Sequence, residues 1–193
     1  MDRLVKRLGT KRVMMIGFAF TAIVLIFIAG FSMQSPFWQL GTEFFFFGFF
    51  LDYTLAPAVD AIRGALPEAK AGVGSGMLSA SRMVAGALWV AALGSALSGV
   101  YSSSFVKAAA SIPGLPADVV KKASDSVGMA VGIAGSGKLP PEMARALAQA
   151  AKQSFMDGWH TVATICVVIC IVGAIIIFKF MPAHHEPAPE DQH

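Results

Sequence analysis

At 193 residues, with 55% hydrophobic side chains, 14% charged ones and a mean hydropathy of +0.65, the chain is too apolar for a soluble domain. Soluble domains carry roughly 25% charged residues, and here the charges cluster in a few blocks, as in a protein that crosses a membrane several times. The net charge of +3 is modest and gathers at the N-terminus, so nucleic acid is not an implied partner. The chain has no asparagine and therefore no N-glycosylation site.

Residues 1–12 form a basic segment with Arg3, Lys6, Arg7, Lys11 and Arg12 against Asp2. Residues 13–31 follow without a charge, long enough as a helix to span about 29 Å. A secretory signal also begins with a basic stretch and an apolar run. This run is longer than a typical signal core and no clean small-residue cleavage site follows, which favours a retained span. The polar turn 32–36 sends the chain back antiparallel. A second span, 37–59, is dense in phenylalanine: Phe44 to Phe47, then Phe49 and Phe50 around Gly48. A link, 60–71, leads to a third span, 72–101, built largely of Gly, Ala and Ser. The loop 102–153 has room for two amphipathic helices, one beginning at Pro116 with Asp118 in its first turn and one at Pro140-Pro141 with Glu142. Its Gly135–Gly137 stretch would be the hairpin tip. The fourth span is 159–178, and the tail 179–193 is rich in Pro, His and acids. The expected architecture is an all-α membrane protein with four transmembrane helices.

Basic residues set the orientation. The N-terminal segment, Arg63, Lys70 and Lys179 lie on short segments of one side, whereas those of the other side are spread over the long loop. Short segments weigh more, so both termini are expected in the cytoplasm. Trp38, Tyr101 and Trp159 then fall at the outer interface, where aromatic belts form.

Ionisable groups inside apolar spans carry the functional signal. Asp52 lies roughly 12 Å from the cytoplasmic end of its span. A bare carboxylate there costs at least ~2.5 kcal/mol, so it needs a wet cavity, a basic partner or a proton. Desolvation favours the protonated form of such a carboxyl, which makes Asp52 a candidate proton or cation site; a packing salt bridge with Arg82, at similar depth, is the alternative. Snorkelling to the inner interface is the bland alternative for Arg82, ranked slightly ahead of the pair. Glu43, nine residues before Asp52, is half a turn away on an ideal helix and near the outer interface, where a solvated carboxylate is ordinary; it is the weaker transport candidate. Phe45, Phe49 and Tyr53 are the candidate cavity-lining aromatics. In the third span Ala87, Ala91, Ser95 and Gly99 recur every four residues, preceded by Gly72, Gly76 and Ala80. Such a ridge lets another helix approach closely.

Other matches carry less. Gly132 to Lys138 fits G-x-x-x-x-G-K, but Leu139 replaces the required Ser/Thr and no strand precedes it. His184-His185 lacks further metal ligands, and His160 and Asp157 read as solvated interface residues. Cys166 and Cys170 share a helix face as small buried residues. No nucleophile-base-acid arrangement and no cofactor motif stands out, so an enzyme is not expected.

The arrangement resembles the C-terminal part of a major facilitator superfamily transporter, in the 14-helix drug:proton antiporter family. Arg7-Leu8-Gly9-Thr10-Lys11-Arg12 resembles the basic loop before the eleventh helix. Phe47-Gly48-Phe49 through Pro57, then Leu66-Pro67-Glu68 and Ala71-Gly72, resembles the twelfth helix and its link. Ser79-Ala80-Ser81-Arg82 with Gly86 and Gly94-Ser95 is similar to the thirteenth helix, and Ser154-Phe155-Met156-Asp157-Gly158 to the entry of the fourteenth. The family's G-x-G-x-G in the twelfth helix is reduced here to Gly48. The resemblance implies a fragment of an inner-membrane, proton-coupled multidrug exporter of lipophilic cations, whose partners are the bilayer, protons and the missing helices or a partner chain. A stand-alone four-helix assembly or scaffolding subunit is the alternative.

Overall fold

The computed structural model describes residues 9–64 and 71–180. The side chains of residues 10, 52, 53, 56–58, 60–64 and 71 lie outside the described set. Six helices follow in order: α1 Thr10–Ala29, α2 Phe37–Gly64, α3 Ala71–Ala109, α4 Ala117–Ala123, α5 Val127–Gly135 and α6 Pro141–Phe180. No strand occurs among the described residues.

Three helical stretches are long and apolar enough to cross a membrane: Lys11–Ala29, Gly72–Ala109 and Pro141–Phe180. The second expected span is present as α2, a 28-residue helix that runs past Pro57 to Gly64. It is not among those three, which are drawn from described residues only, and the side chains of residues 52, 53, 56–58 and 60–64 of α2 lie outside that set. Four long helices therefore form, with three meeting the apolar measure.

The third and fourth spans extend well past their expected outer ends. α3 has 39 residues and α6 has 40, so each is roughly 60 Å long, about twice the hydrocarbon thickness. The expected loop boundaries at 102 and 153 were set by a change in polarity. Helix propensity does not change there, because Ala, Ser, Gln, Lys and Leu continue the turn. The loop holds two short helices, α4 and α5, before the Gly135–Gly137 stretch, and α6 begins after it at Pro141, so the segment expected to start a second loop helix runs on into the fourth span. Ser124-Asp125-Ser126 separates them, and Ser126 in extended conformation accepts a hydrogen bond from Met129 N, capping α5.

The residues divide into two compact units, with boundaries at Ile28/Ala29, Ser35/Pro36, Met83/Val84 and Ile165/Cys166. In the first, α1 buries Val13, Met14, Gly17, Thr21, Val24, Leu25 and Ile28 along one stripe. This is the helical period expected for a packed face. A Cβ placed on Gly17 would run into Thr54 Oγ1, and Phe20 stacks on Phe50 with ring centroids 4.7 Å apart. Glycine at 17 is what lets the α1 and α2 backbones come this close. The far end of α6 meets α1: a Cβ on Gly173 would lie 2.9 Å from the Phe18 ring, and Lys11 Nζ sits 5.4 Å from the Phe178 ring centroid.

The second unit has a core. Tyr101, Phe105 and Ala109 of α3 pack with Ala123, Ala130, Leu147 and Ala151. Phe105 and Leu147 are fully enclosed. Tyr101 stacks on Phe105 at 5.7 Å and its hydroxyl donates to the Ala123 carbonyl at 2.8 Å. Closer to the spans, Gly158 faces Leu97, whose carbonyl oxygen would be 3.0 Å from an added Cβ. The segment 102–153 is thus a helical cap with its own apolar interior.

Candidate functional site

The candidate site is built on α2, whose helical backbone carries Glu43, Phe45, Phe49, Asp52 and Tyr53 in one element. The side chains of Asp52 and Tyr53 lie outside the described residues, and with them the expected Asp52–Arg82 pair. Arg82 is exposed on α3 and makes no ion pair with a described residue. Phe45 and Phe49 project from an exposed face, 68% and 46% accessible, as a lipophilic surface requires. Edge-to-face contacts link Phe45 to Phe46 at 5.7 Å and Phe49 to Phe50 at 5.4 Å. Phe46 stacks on Phe50 at 6.2 Å, and Phe50 on Phe20 of α1. Rings at these separations prefer such offset geometries. The consequence is an exposed aromatic face, Phe20 and Phe46 included, gathered around the half-buried Phe50.

Glu43 is placed differently from expectation. It shares the half-buried side of α2 with Phe47 and Phe50, rather than standing in solvent. One carboxylate oxygen accepts from Gln39 Nε2 at 3.0 Å; the other is shut off from solvent and has no hydrogen-bond partner among the described residues. The same unit holds two buried threonines. Thr54 Oγ1 donates to the Phe50 carbonyl at 3.2 Å, whereas Thr21 Oγ1 is buried and has no hydrogen-bond partner among the described residues. Buried polar atoms without partners are uncommon and mark positions where something beyond packing acts. The Gly17-x-x-x-Thr21 spacing was the available sequence signal for this seam, because small residues four apart mark close helix approach.

The small-residue ridge of α3 is bare. Ala80, Ala87, Ala91 and Ser95 are exposed, and Cβ atoms placed on Gly76, Gly86, Gly94 and Gly99 would meet nothing within 4 Å. Tyr101 does not join an aromatic belt: it is 3% exposed and belongs to the cap core. Its phenol reaches a carbonyl, which makes deep burial affordable for a polar ring. Trp38 is 71% exposed, as a belt residue would be. His160 also has a specific partner, since its Nε2 lies 2.9 Å from the Phe31 carbonyl and therefore donates to it. The Gly132–Lys138 stretch is the end of α5 and the turn after it, with Gly137 at φ 71°. A phosphate loop needs a strand before it and a helix N-terminus after it, and that geometry is absent. Cys166 and Cys170 are free thiols. Among the described residues no cluster of His, Cys, Asp and Glu is suited to a metal. His184 and His185 lie outside the described residues.

These features define a multi-span α-helical membrane protein with an aromatic face, a buried polar seam and a folded cap. The chain is similar to methyl viologen resistance protein SmvA of Salmonella typhimurium, strains 14028s and LT2, at 32% identity over 161 residues in each. The match takes in 83% of this chain and 31% of the relative, so the chain spans about a third of the length of these curated relatives. No family model and no solved structure matches it.

Proposed function

We propose that this chain is the closing part of a proton-coupled multidrug efflux transporter of the major facilitator superfamily, exporting lipophilic, cationic compounds across the inner membrane. The observation that carries this reading is the similarity to SmvA, a protein named for resistance to methyl viologen, over 83% of the chain. Methyl viologen is itself a cation.

Transporters of this type move two halves around a midplane site. Four long helices supply less than that, which agrees with the one-third coverage of the relative and with the bare ridge on α3. The remaining helices, in the same polypeptide or a partner chain, would cover that ridge. The aromatic face of α2 would stack on the substrate, drawing a cation to the ring faces. Asp52, with Glu43 as the second carboxylate, would supply charge complementarity or a proton site within the apolar layer. Arg82 at similar depth would balance Asp52 between substrates. Both termini are assigned to the cytoplasm on the distribution of basic residues, and no covalent chemistry is involved.

The test is Asp52→Asn in the intact transporter. Export of methyl viologen and of a fluorescent cationic dye should fall at least about tenfold, one charge-assisted contact's worth, with membrane abundance unchanged. Unaltered resistance together with unaltered proton-coupled dye export removes Asp52 from the mechanism.

A further inference from the structure

We propose that the cap carries a binding site for a small anionic amphiphile, in the cleft between α4 and α5. The proposal stands apart from the transport reading, since it uses only residues of the cap. Helices α4 and α5 and the turn that follows α5 border a half-open surface cleft of about 450 Å³. That is within the range of small-molecule sites, roughly 300–1,000 Å³.

Its walls are apolar and fixed. Val119, Ile133 and Leu139 line it and are half-buried, each packed against the Tyr101–Phe105–Leu147 core. Met129 adds an exposed, adaptable thioether. Gly132 lines the same space, and an added Cβ there would meet nothing within 4 Å, so the floor is open at that point.

The rim is basic. Lys122 and Lys138 line the cleft with Asp118 as the one acid, leaving a net single positive charge. None of the three side chains forms an ion pair among the described residues, so neither ammonium is satisfied by the cap itself. Two lysines over an apolar floor fit a ligand with one anionic group on a short hydrocarbon body. A bare inorganic anion would leave the walls uncovered, and a lipophilic cation would meet the lysines unfavourably. The glycines and Lys138 of the Gly132–Lys138 stretch, which form no phosphate loop, acquire a purpose as floor, turn and rim.

The measurement is methyl NMR on the full chain in zwitterionic nanodiscs, with ¹³C-methyl methionine and the Met129 signal assigned through Met129→Leu. Octanoate is the probe, and octylammonium is its cationic counterpart of equal chain length. Octanoate should shift the Met129 methyl saturably, while octylammonium leaves it in place. Lys122→Glu with Lys138→Glu should weaken the octanoate titration at least about tenfold, since two charge-assisted contacts are lost. Gly132→Leu, which fills the floor, should abolish it while leaving the other methionine methyls unshifted. Equal shifts from both probes, or an octanoate titration that survives the double lysine variant, would overturn the proposal.

Discussion

The two ends of α3 belong to the same continuous helix and live in opposite surroundings. Its C-terminal end (the outer one in the expected orientation), from Tyr101 to Ala109, is enclosed by α4, α5 and the start of α6, with Phe105 wholly buried. Its inner stretch, residues 79–92, is exposed at every position. Composition explains the contrast. The outer end carries two aromatic rings that need covering, and the cap supplies neighbours small enough to admit them: Ala123, Ala130 and Ala151. The inner stretch carries Gly, Ala and Ser, which gain little from lipid and much from another backbone. One helix thus carries both a closed core and an open ridge, and the proposed transporter reading takes the open ridge as a seat for further helices.

The strongest way to break that contrast is to empty the cap. Phe105→Ala removes a fully enclosed ring and should destabilise the cap by roughly 3–5 kcal/mol. Limited proteolysis in nanodiscs should then cut between residues 110 and 140 far faster than in the wild type. Cleavage at an unchanged rate would show that the cap is held by the spans rather than by its own interior.

Overpacking tests the close contacts that both units contain. Gly158→Leu would push into Leu97, and Gly17→Leu into Thr54, each at an expected cost of about 1–3 kcal/mol. Thermal unfolding followed by tryptophan fluorescence should drop for both variants. If Gly17→Leu is silent, the α1–α2 seam yields easily and its buried threonines carry less weight as a polar site.

Within the cap, Tyr101→Phe keeps the ring stack and strands the Ala123 carbonyl. The buried acceptor should cost about 1–3 kcal/mol, measured by hydrogen exchange at the C-terminal end of α4. Ser126→Ala removes the α5 cap and should cost about 1 kcal/mol, with the loss confined to the α5 amides. A uniform loss across the cap in the second variant would mean that α4 and α5 unfold with the core as one unit.

Much of this organisation is legible in the residues. Long uncharged runs show the spans, the Pro-acid pairs mark the starts of α4 and α6, and the four-residue spacing of small side chains marks the ridge. What escapes is what long-range packing decides. Tyr101 reads as an interface aromatic until Ala123, 22 residues on, offers its carbonyl. His160 reads as a solvated group, yet it donates to Phe31 across 129 residues. Glu43 reads as a solvated carboxylate because it lies near the expected outer interface, and helical phase separates it from Asp52. Phase alone does not reveal that its own side of α2 is the half-buried one. Helix ends 102 and 153 fail for a local reason: polarity changes at the membrane surface and helical propensity does not.

The smallest expected effect is the most discriminating. Ala91→Leu places a large side chain on the open ridge, where the chain has nothing to collide with, and should change its thermal stability by no more than about 0.5 kcal/mol. In the full-length transporter proposed above, the same substitution should lower both stability and export, because a helix seated on Ala87, Ala91 and Ser95 would have to move away. The pair of measurements separates the two meanings of exposure. A ridge that faces lipid tolerates leucine in both settings, whereas one waiting for a helix tolerates it only when that helix is absent. A loss of more than about 1 kcal/mol in the isolated chain would place the ridge under cover within these 193 residues and remove the asymmetry along α3 on which the reading of an incomplete membrane layer depends.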